Sequence, residues 1–205
     1  LLDYKASWGD MDMRGTAQKT ARLIGSTVME RTTARSVIER LIASADRKPE
    51  ADRLSARGWH VQMFEFREQH TIEGLARRMR TAAKAEDSFE AINACQPHML
   101  EAAKAHIDRI VLEAFIGGIE QCDDDYIKAL LVKVCDLYAL ATIEANRAWF
   151  LEHEVFDPKR SKAITAAVDE LCADLRGKSR ELVEGLGVPE GWLTHARAAI
   201  PPLIG

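Results

Sequence analysis

Apolar positions along this chain recur every three to four residues and almost never alternate, which is the pattern of helices packed by one face. From Asp12 to about Ala43 the set Met13, Ala17, Ala21, Ile24, Val28, Val37, Ile38, Leu41 and Ile42 keeps that spacing, with a weak point at Gly25. The connector "DRKPEAD", residues 46 to 52, follows; Pro49 disfavours helix at Lys48 and suits the first turn of the next one. A second long helix is predicted from about Pro49 to Lys84. It carries Phe64, Ile72, Leu75, Met79 and Ala82 on its stripe, with Arg67, Arg77, Arg78 and Arg80 largely off it. "EDSFEAIN" opens a third helix, with Asp87 or Ser88 as N-cap. Pro97 predicts a kink or two abutting helices, and beyond it Met99, Leu100, Ala103, Ile107, Ile110, Val111, Ala114, Phe115 and Ile119 form a wide apolar face.

The fourth predicted helix, about Asp124 to His153, contains "CDLYALATIEANRAWFLEH", which is apolar on nearly every side. A helix that apolar belongs at the centre of a bundle or against a second surface. Within it Trp149, Phe150 and Leu151 read as packing anchors. Asp136, Glu144, Asn146 and Arg147 read as partners in buried or interdomain polar pairs rather than as an active site. "FDPKRS" marks a boundary, with Asp157 as N-cap and Pro158 at the first position of a fifth helix. Its stripe of Ile164, Val168, Leu171, Leu175, Leu182 and Leu186 ends near Gly185 and Gly187, and a short turn begins at Pro189. Sustained alternation and Asn-Gly or Asp-Gly hairpin turns are missing. The expected fold class is all-α: a helical bundle of about five long helices, mostly antiparallel, with no sheet.

Composition changes that picture little. The 205 residues are 47% hydrophobic and 29% charged, enough for a sizeable core and without a biased tract. Apolar runs fall short of a membrane span and no signal core is visible, so an aqueous, cytoplasmic setting is expected. Cys95, Cys122, Cys135 and Cys172 are scattered within helical patterns and read as reduced core thiols. Charge is uneven: residues 1 to 84 hold 16 Lys and Arg against 11 Asp and Glu, and residues 85 to 205 hold 12 against 21. Two halves packed on each other explain this better than a face for nucleic acid, membrane lipid or a phosphate-bearing ligand, since the basic residues are interleaved with carboxylates and no recognisable nucleic-acid module is present.

Candidate chemistry is sparse. Neither a dinucleotide nor a P-loop glycine motif occurs, and Gly117-Gly118 suits close helix packing. Zincin, Glu-x-x-His and nucleophile-elbow patterns are also missing. His98 and His106 lie two turns apart on one helix, a spacing that is more often structural than metal-binding. Asp123 to Asp125 fit a helix cap better than a calcium loop, whose ligands are spread over a longer pattern. No catalytic residue and no metal ligand is assigned.

"VCDLYALATIEANRAWFLEH", with "ITAAVDELCADLRGKSRELVEGLGVPEGWL" downstream, resembles the C-terminal helical domain of acyl-CoA oxidases and the related long acyl-CoA dehydrogenases. The carriers are Leu137 to Leu140, Glu144 and Trp149 to His153, joined by "FEFREQHTIEGLARRMR", residues 64 to 80, and "AKAHIDRIVLEAF", residues 103 to 115. The likeness covers about residues 59 to 194. It implies that residues 46–205 form the terminal helical bundle and that residues 1–45 are an N-terminal helix at the junction to a catalytic core. "LLDYKASWGDMDM" opens without an initiator methionine, as a piece of a longer chain does. "WGDMD" sits where related flavoenzymes carry a Gly-Asp-Asn turn near the flavin; Met11 stands in the asparagine's place, and no flavin contact is assigned to Gly9 or Asp10.

The resemblance further implies a parent enzyme that binds FAD and acyl-CoA and removes two hydrogens to give a trans-2-enoyl-CoA. An upstream glutamate acts as base and the flavin accepts a hydride; that base is not Glu144 or Glu152. The terminal domain packs on the missing N-terminal catalytic domains and supports a homodimer. Alone it is expected to carry no cofactor, to contact no nucleic acid and to have no membrane span. Two competing classes are a free-standing helical interaction module and a helical transcription regulator, the latter disfavoured because the N-terminal region lacks a compact helix-turn-helix. "PPLIG" at the end lacks a Ser-Lys-Leu type address.

Overall fold

The computed structural model describes residues 35–85 and 87–185. They form α1 (Arg35–Asp46), a 3-10 turn (Glu50–Ser55), α2 (Arg57–Ala82), α3 (Ser88–Asn93), α4 (Gln96–Glu120), α5 (Asp125–Ala145), α6 (Arg147–Glu152), α7 (Pro158–Arg176) and α8 (Ser179–Gly185). No strand occurs among the described residues. The all-α bundle expected from the periodicity is what the chain forms. The expectations at Gly9, Asp10 and Gly25, and those beyond residue 185, lie outside the described residues.

Local chemistry sets most of the helix starts. The carboxylates of Asp87, Asp124 and Asp157 accept the backbone N–H three residues on, at 3.1, 2.9 and 2.7 Å, so each satisfies an orphan donor at a helix start. Asp124 therefore caps, as the Asp123–Asp125 run predicts. Pro97 stands in the first turn of α4, where its missing N–H is harmless, and α3 and α4 are two abutting helices.

Three expected helices are interrupted. The second does not start at Pro49: the chain first makes the 3-10 turn and passes through Ala56 in an extended conformation before α2 begins. The fourth breaks at Asn146, whose side-chain amide donates to the Thr142 carbonyl at 2.7 Å and competes with the helical ladder. The fifth breaks at Gly177, between α7 and α8. Across the Asn146 break the stripe continues because α6 stays on the main core through Phe150, whereas α8 buries no residue.

α2 is the centre of the bundle and touches α1, α3, α4 and α5. It runs antiparallel to α4, with Glu68 beside His106 and Arg109 and Leu75 and Met79 packed with Cys95 and Ala102. The main core gathers Ile38, Val61, Phe64, Leu112, Ile116, Leu140, Ile143, Phe150 and Ile164, so α1, α2, α4, α5, α6 and α7 share one interior. A smaller core of Leu75, Met79, Ala82, Cys95 and Ala102 closes the far end of α2.

α5 was expected at the bundle centre or against a second surface, and its pattern of burial fits the second. Only Cys135, Ala139, Leu140 and Ile143 are buried along it. Its other side, with Val134, Leu137 and Ala141, lines an open groove against Lys104 and Asp108 of α4. Its apolarity is that of a helix with two faces to cover.

Gly58 is required where α1 crosses α2. A Cβ there would stand 2.0 Å from the Leu41 carbonyl oxygen and 2.7 Å from the Ile42 nitrogen, inside backbone atoms that have no room to yield. Gly118 has no such role, since a Cβ there meets nothing within 4 Å. Of the cysteines, Cys95 and Cys135 are buried, Cys122 is half-buried and Cys172 is exposed beside the α7 stripe, so the core-thiol expectation fails at Cys172.

Candidate functional site: a cationic cleft above a buried ion network

Between α2 and α4 runs a seam of buried charge. Arg109 donates through Nε to Glu68 and through Nη1 to Glu113, and all three side chains are at most 6% exposed. His106 Nδ1 lies 2.6 Å from the other Glu68 oxygen. Arg67, equally buried, donates to Glu101 at 2.9 Å and stands 3.9 Å from Asp108. Burial works against the Arg109 charge, but hydrogen bonds to Glu113 and Glu68 outweigh it and hold its pKa above the ordinary value. Burial likewise raises the Asp108 carboxyl. Such a seam costs desolvation and gives register: only one alignment of α2 on α4 pairs every charge. Sequence reading found neither Arg109 nor Glu68. The available sign was the placement of Glu68, Arg109 and Glu113 within otherwise apolar helix faces.

One end of the seam opens into a cleft of about 360 Å³ lined by His70, Gly74, Arg77 and Arg78 of α2, His98 and Glu101 of α4, and Trp149 with His153 of α6 and its cap. Here the expected anchor Trp149 is a wall: His153 stacks on it at 4.1 Å, His70 meets it edge-on at 5.3 Å, and the Arg67 guanidinium lies 5.9 Å from its ring centre. His70 and His153 are in edge contact at 4.4 Å. His153 also bonds through Nδ1 to the Trp149 carbonyl at 2.7 Å. The turn after α6 holds that ring in place: Val155 N–H bonds to Phe150 O and Glu154 N–H to Leu151 O around Glu154 at φ 54°, a Schellman closure with glutamate in the left-handed position. Phe150, the second anchor, is buried and stacks on Phe156 at 5.3 Å; Leu151 is half-buried.

The histidines that sequence spacing offered as a pair separate in function. His98 faces this cleft and His106 pairs with Glu68, so they share no ion, and among the described residues no group of three metal-ligating side chains forms.

A second cavity, about 550 Å³, lies between the 3-10 turn, α5 and α7. His60 is fully buried at its inner end and bonds through Nε2 to the Leu54 carbonyl at 2.8 Å, which leaves Nδ1 facing Asp136 Oδ1 at 3.8 Å. His60 Nδ1, Asp136 Oδ1 and Arg57 Nη1 have no direct hydrogen-bond partner among the described residues. Burial drives the His60 pKa down to about 4 and that of Asp136 up to about 6, and raises the Cys135 thiol to about 12. Glu170 and Asp174 complete an acidic rim, with Lys133 on Asp174 at 2.5 Å.

The remaining polar residues of the apolar helix take the expected structural roles, with one exception. Glu144 accepts from Thr165 at 2.6 Å and ties α5 to α7, while Asn146 closes α5. Arg147 is exposed and reaches Glu144 only at 3.8 Å, so it forms no buried pair.

Residues 59–194 match the family model described as acyl-CoA oxidase. The chain belongs to the acyl-CoA oxidase family. It is 30% identical over 143 residues to the acyl-coenzyme A oxidase-like protein of Mus musculus, a stretch covering 69% of this chain and 23% of that protein. It is 30% identical over 139 residues to the peroxisomal acyl-coenzyme A oxidase 2 of Arabidopsis thaliana, covering 68% of this chain and 20% of that one. Against the peroxisomal acyl-coenzyme A oxidase 1 of Phascolarctos cinereus it is 29% identical over 125 residues, 60% of this chain and 19% of the other. The chain thus spans about a fifth of the length of these curated relatives. Two of the segments that carry the family resemblance, residues 64–80 and 149–153, meet at the cationic cleft. No helix among the described residues is long and apolar enough to cross a membrane.

Proposed function

We propose that this chain is the C-terminal helical part of a flavin-dependent acyl-CoA oxidase, where it braces the catalytic core and the dimer while the chemistry is done by preceding domains. The observation that carries the reading is the family match over residues 59–194 on a chain that spans only about a fifth of its relatives. In the parent enzyme FAD would accept a hydride from the acyl β-carbon as an upstream carboxylate takes the α-proton.

Two features support a reading in which these residues hold no flavin. The larger cavity has an acidic rim at Asp136, Glu170 and Asp174, which repels a pyrophosphate. The cationic cleft, at about 360 Å³, is near the lower end for a single small-molecule site and has no room for two ring systems and a pyrophosphate. No reaction step is therefore routed through these residues.

What they supply is a rigid plate with an uncovered apolar face. Leu100, Ile107 and Val111 stand out from α4 at 71, 59 and 39% exposure, next to the groove lined by Val134, Leu137 and Ala141 of α5. In the proposed enzyme this face receives the catalytic core, and the seam beneath it keeps α4 in register. Charge reversal on that face tests the reading: Leu100→Glu with Ile107→Glu in the complete oxidase is expected to release flavin and dissociate the dimer, seen by gel filtration with absorbance detection. Unchanged flavin content, assembly and activity would contradict this role for the face. The cytoplasmic setting is part of the proposal, and cell fractionation checks it against the peroxisomal location in two relatives' names.

A further inference from the structure

The cleft over Trp149 holds positive charge that its own walls leave unbalanced. From α2 it receives Arg77 and Arg78, both exposed and neither in an ion pair among the described residues. Arg78 donates only to the Gly74 carbonyl, at 3.3 Å. Three half-buried imidazoles converge from three places in the fold: His70 on α2, His98 on α4 and His153 at the cap of α6. Of the acidic groups nearby, Glu101 is paired with Arg67 at 2.9 Å, and Glu73, which accepts from the neutral Gln69 amide at 2.9 Å, sets one carboxylate against two guanidiniums. His70 and His153, in contact at 4.4 Å, cannot both take a proton without repelling each other and Arg77. An anion in the cleft removes that conflict. The walls are also set in advance, because His153 is fixed by the Trp149 carbonyl and Trp149 by Arg67.

We propose that this cleft is an anion site for a phosphate dianion, gripped by the Arg77 and Arg78 guanidiniums and capped by the imidazoles of His70, His98 and His153. Guanidiniums offer paired donors at the spacing of phosphate oxygens, and a protonated imidazole adds one charged donor each. The His153 Nε2 edge is free for this, since Nδ1 is used on the backbone. The source of the phosphate is inorganic phosphate or a mononucleotide, which share this chemistry. Binding strengthens as pH falls: burial, His153 and Arg77 hold the His70 pKa below its ordinary value, so His70 takes its proton together with the anion. The groups acting on it are Arg67, Glu73, Arg77 and Arg78 from α2, His98 and Glu101 from α4, and His153 from α6.

Calorimetric titration of the chain with sulfate, inorganic phosphate and AMP tests this, independently of any oxidase activity. Sulfate stays a dianion throughout, so its affinity should fall about tenfold between about pH 6 and about pH 8 as His70 loses its proton. Arg77→Ala with Arg78→Ala should weaken all three probes by about tenfold or more while circular dichroism stays helical. Phosphate as tight as AMP identifies the inorganic source, and tighter AMP identifies the nucleotide. Independently of any variant, sulfate should raise the His70 ring pKa followed by NMR. No heat from any probe at millimolar concentration, an unchanged affinity in the folded double variant, or a His70 ring indifferent to sulfate would each overturn the proposal.

Discussion

At the scale of single residues, the buried seam carries the largest consequence. Arg109 stands between Glu68 and Glu113, so removing it leaves the buried Glu113 without a counter-charge and Glu68 with His106 alone. Arg109→Met is expected to cost about 3–5 kcal/mol in urea unfolding, and adding Glu68→Gln with Glu113→Gln should recover a good part of it. The His60–Asp136 pair makes a different kind of prediction. Unfolded, His60 titrates near 6.5 and Asp136 near 3.8; folded, they titrate near 4 and 6. Between these limits the unfolded chain carries its proton on the imidazole and the folded chain on the carboxyl, so the proton counts match and the pair gives almost no pH slope. Single variants uncover each half. In Asp136→Asn only the depressed His60 remains, and its contribution, present above 6.5, is lost as pH falls toward 4, by about 3 kcal/mol. In His60→Gln only the raised Asp136 remains, its contribution is present below 3.8 and lost as pH rises through 6, and the slope reverses. Urea midpoints across that pH range measure both, and equal slopes in the two variants would contradict the pairing.

At the scale of elements, the caps and prolines were legible because their chemistry is local. Asp87, Asp157 and Pro97 do in the structure what their positions say, and the stripe of α7 faces inward at Ile164 and Leu175. The breaks at Ala56, Asn146 and Gly177 were not, since an apolar stripe carries no mark of where one helix stops and the next begins. Nor was the contact at Gly58, which depends on α1 crossing α2 at Leu41, a meeting set by tertiary structure. That contact decides between two opposed effects: Gly58→Ala gains about 1 kcal/mol of helix propensity, while overpacking against backbone costs about 1–3 kcal/mol or more. A net loss of about 2 kcal/mol in the unfolding midpoint is expected, with α1 displaced. The cationic cleft was hidden for the same reason: His70, His98 and His153 are far apart in sequence, and only the antiparallel packing of α2 on α4 with α6 at its end joins them.

For the whole molecule, membership of the acyl-CoA oxidase family and the all-α fold are the frame of the proposal that this chain is a supporting part. Residues 59–194 match the family, and an apolar face on α4 and α5 lies open. The measurement that tests this most directly is the visible spectrum and acyl-CoA-dependent peroxide formation of two purified proteins, the complete oxidase polypeptide and this 205-residue chain. The account predicts a flavin band and turnover for the complete polypeptide, and a colourless, helical, inactive chain. A yellow 205-residue chain that turns over acyl-CoA, or a complete polypeptide without flavin, would contradict it.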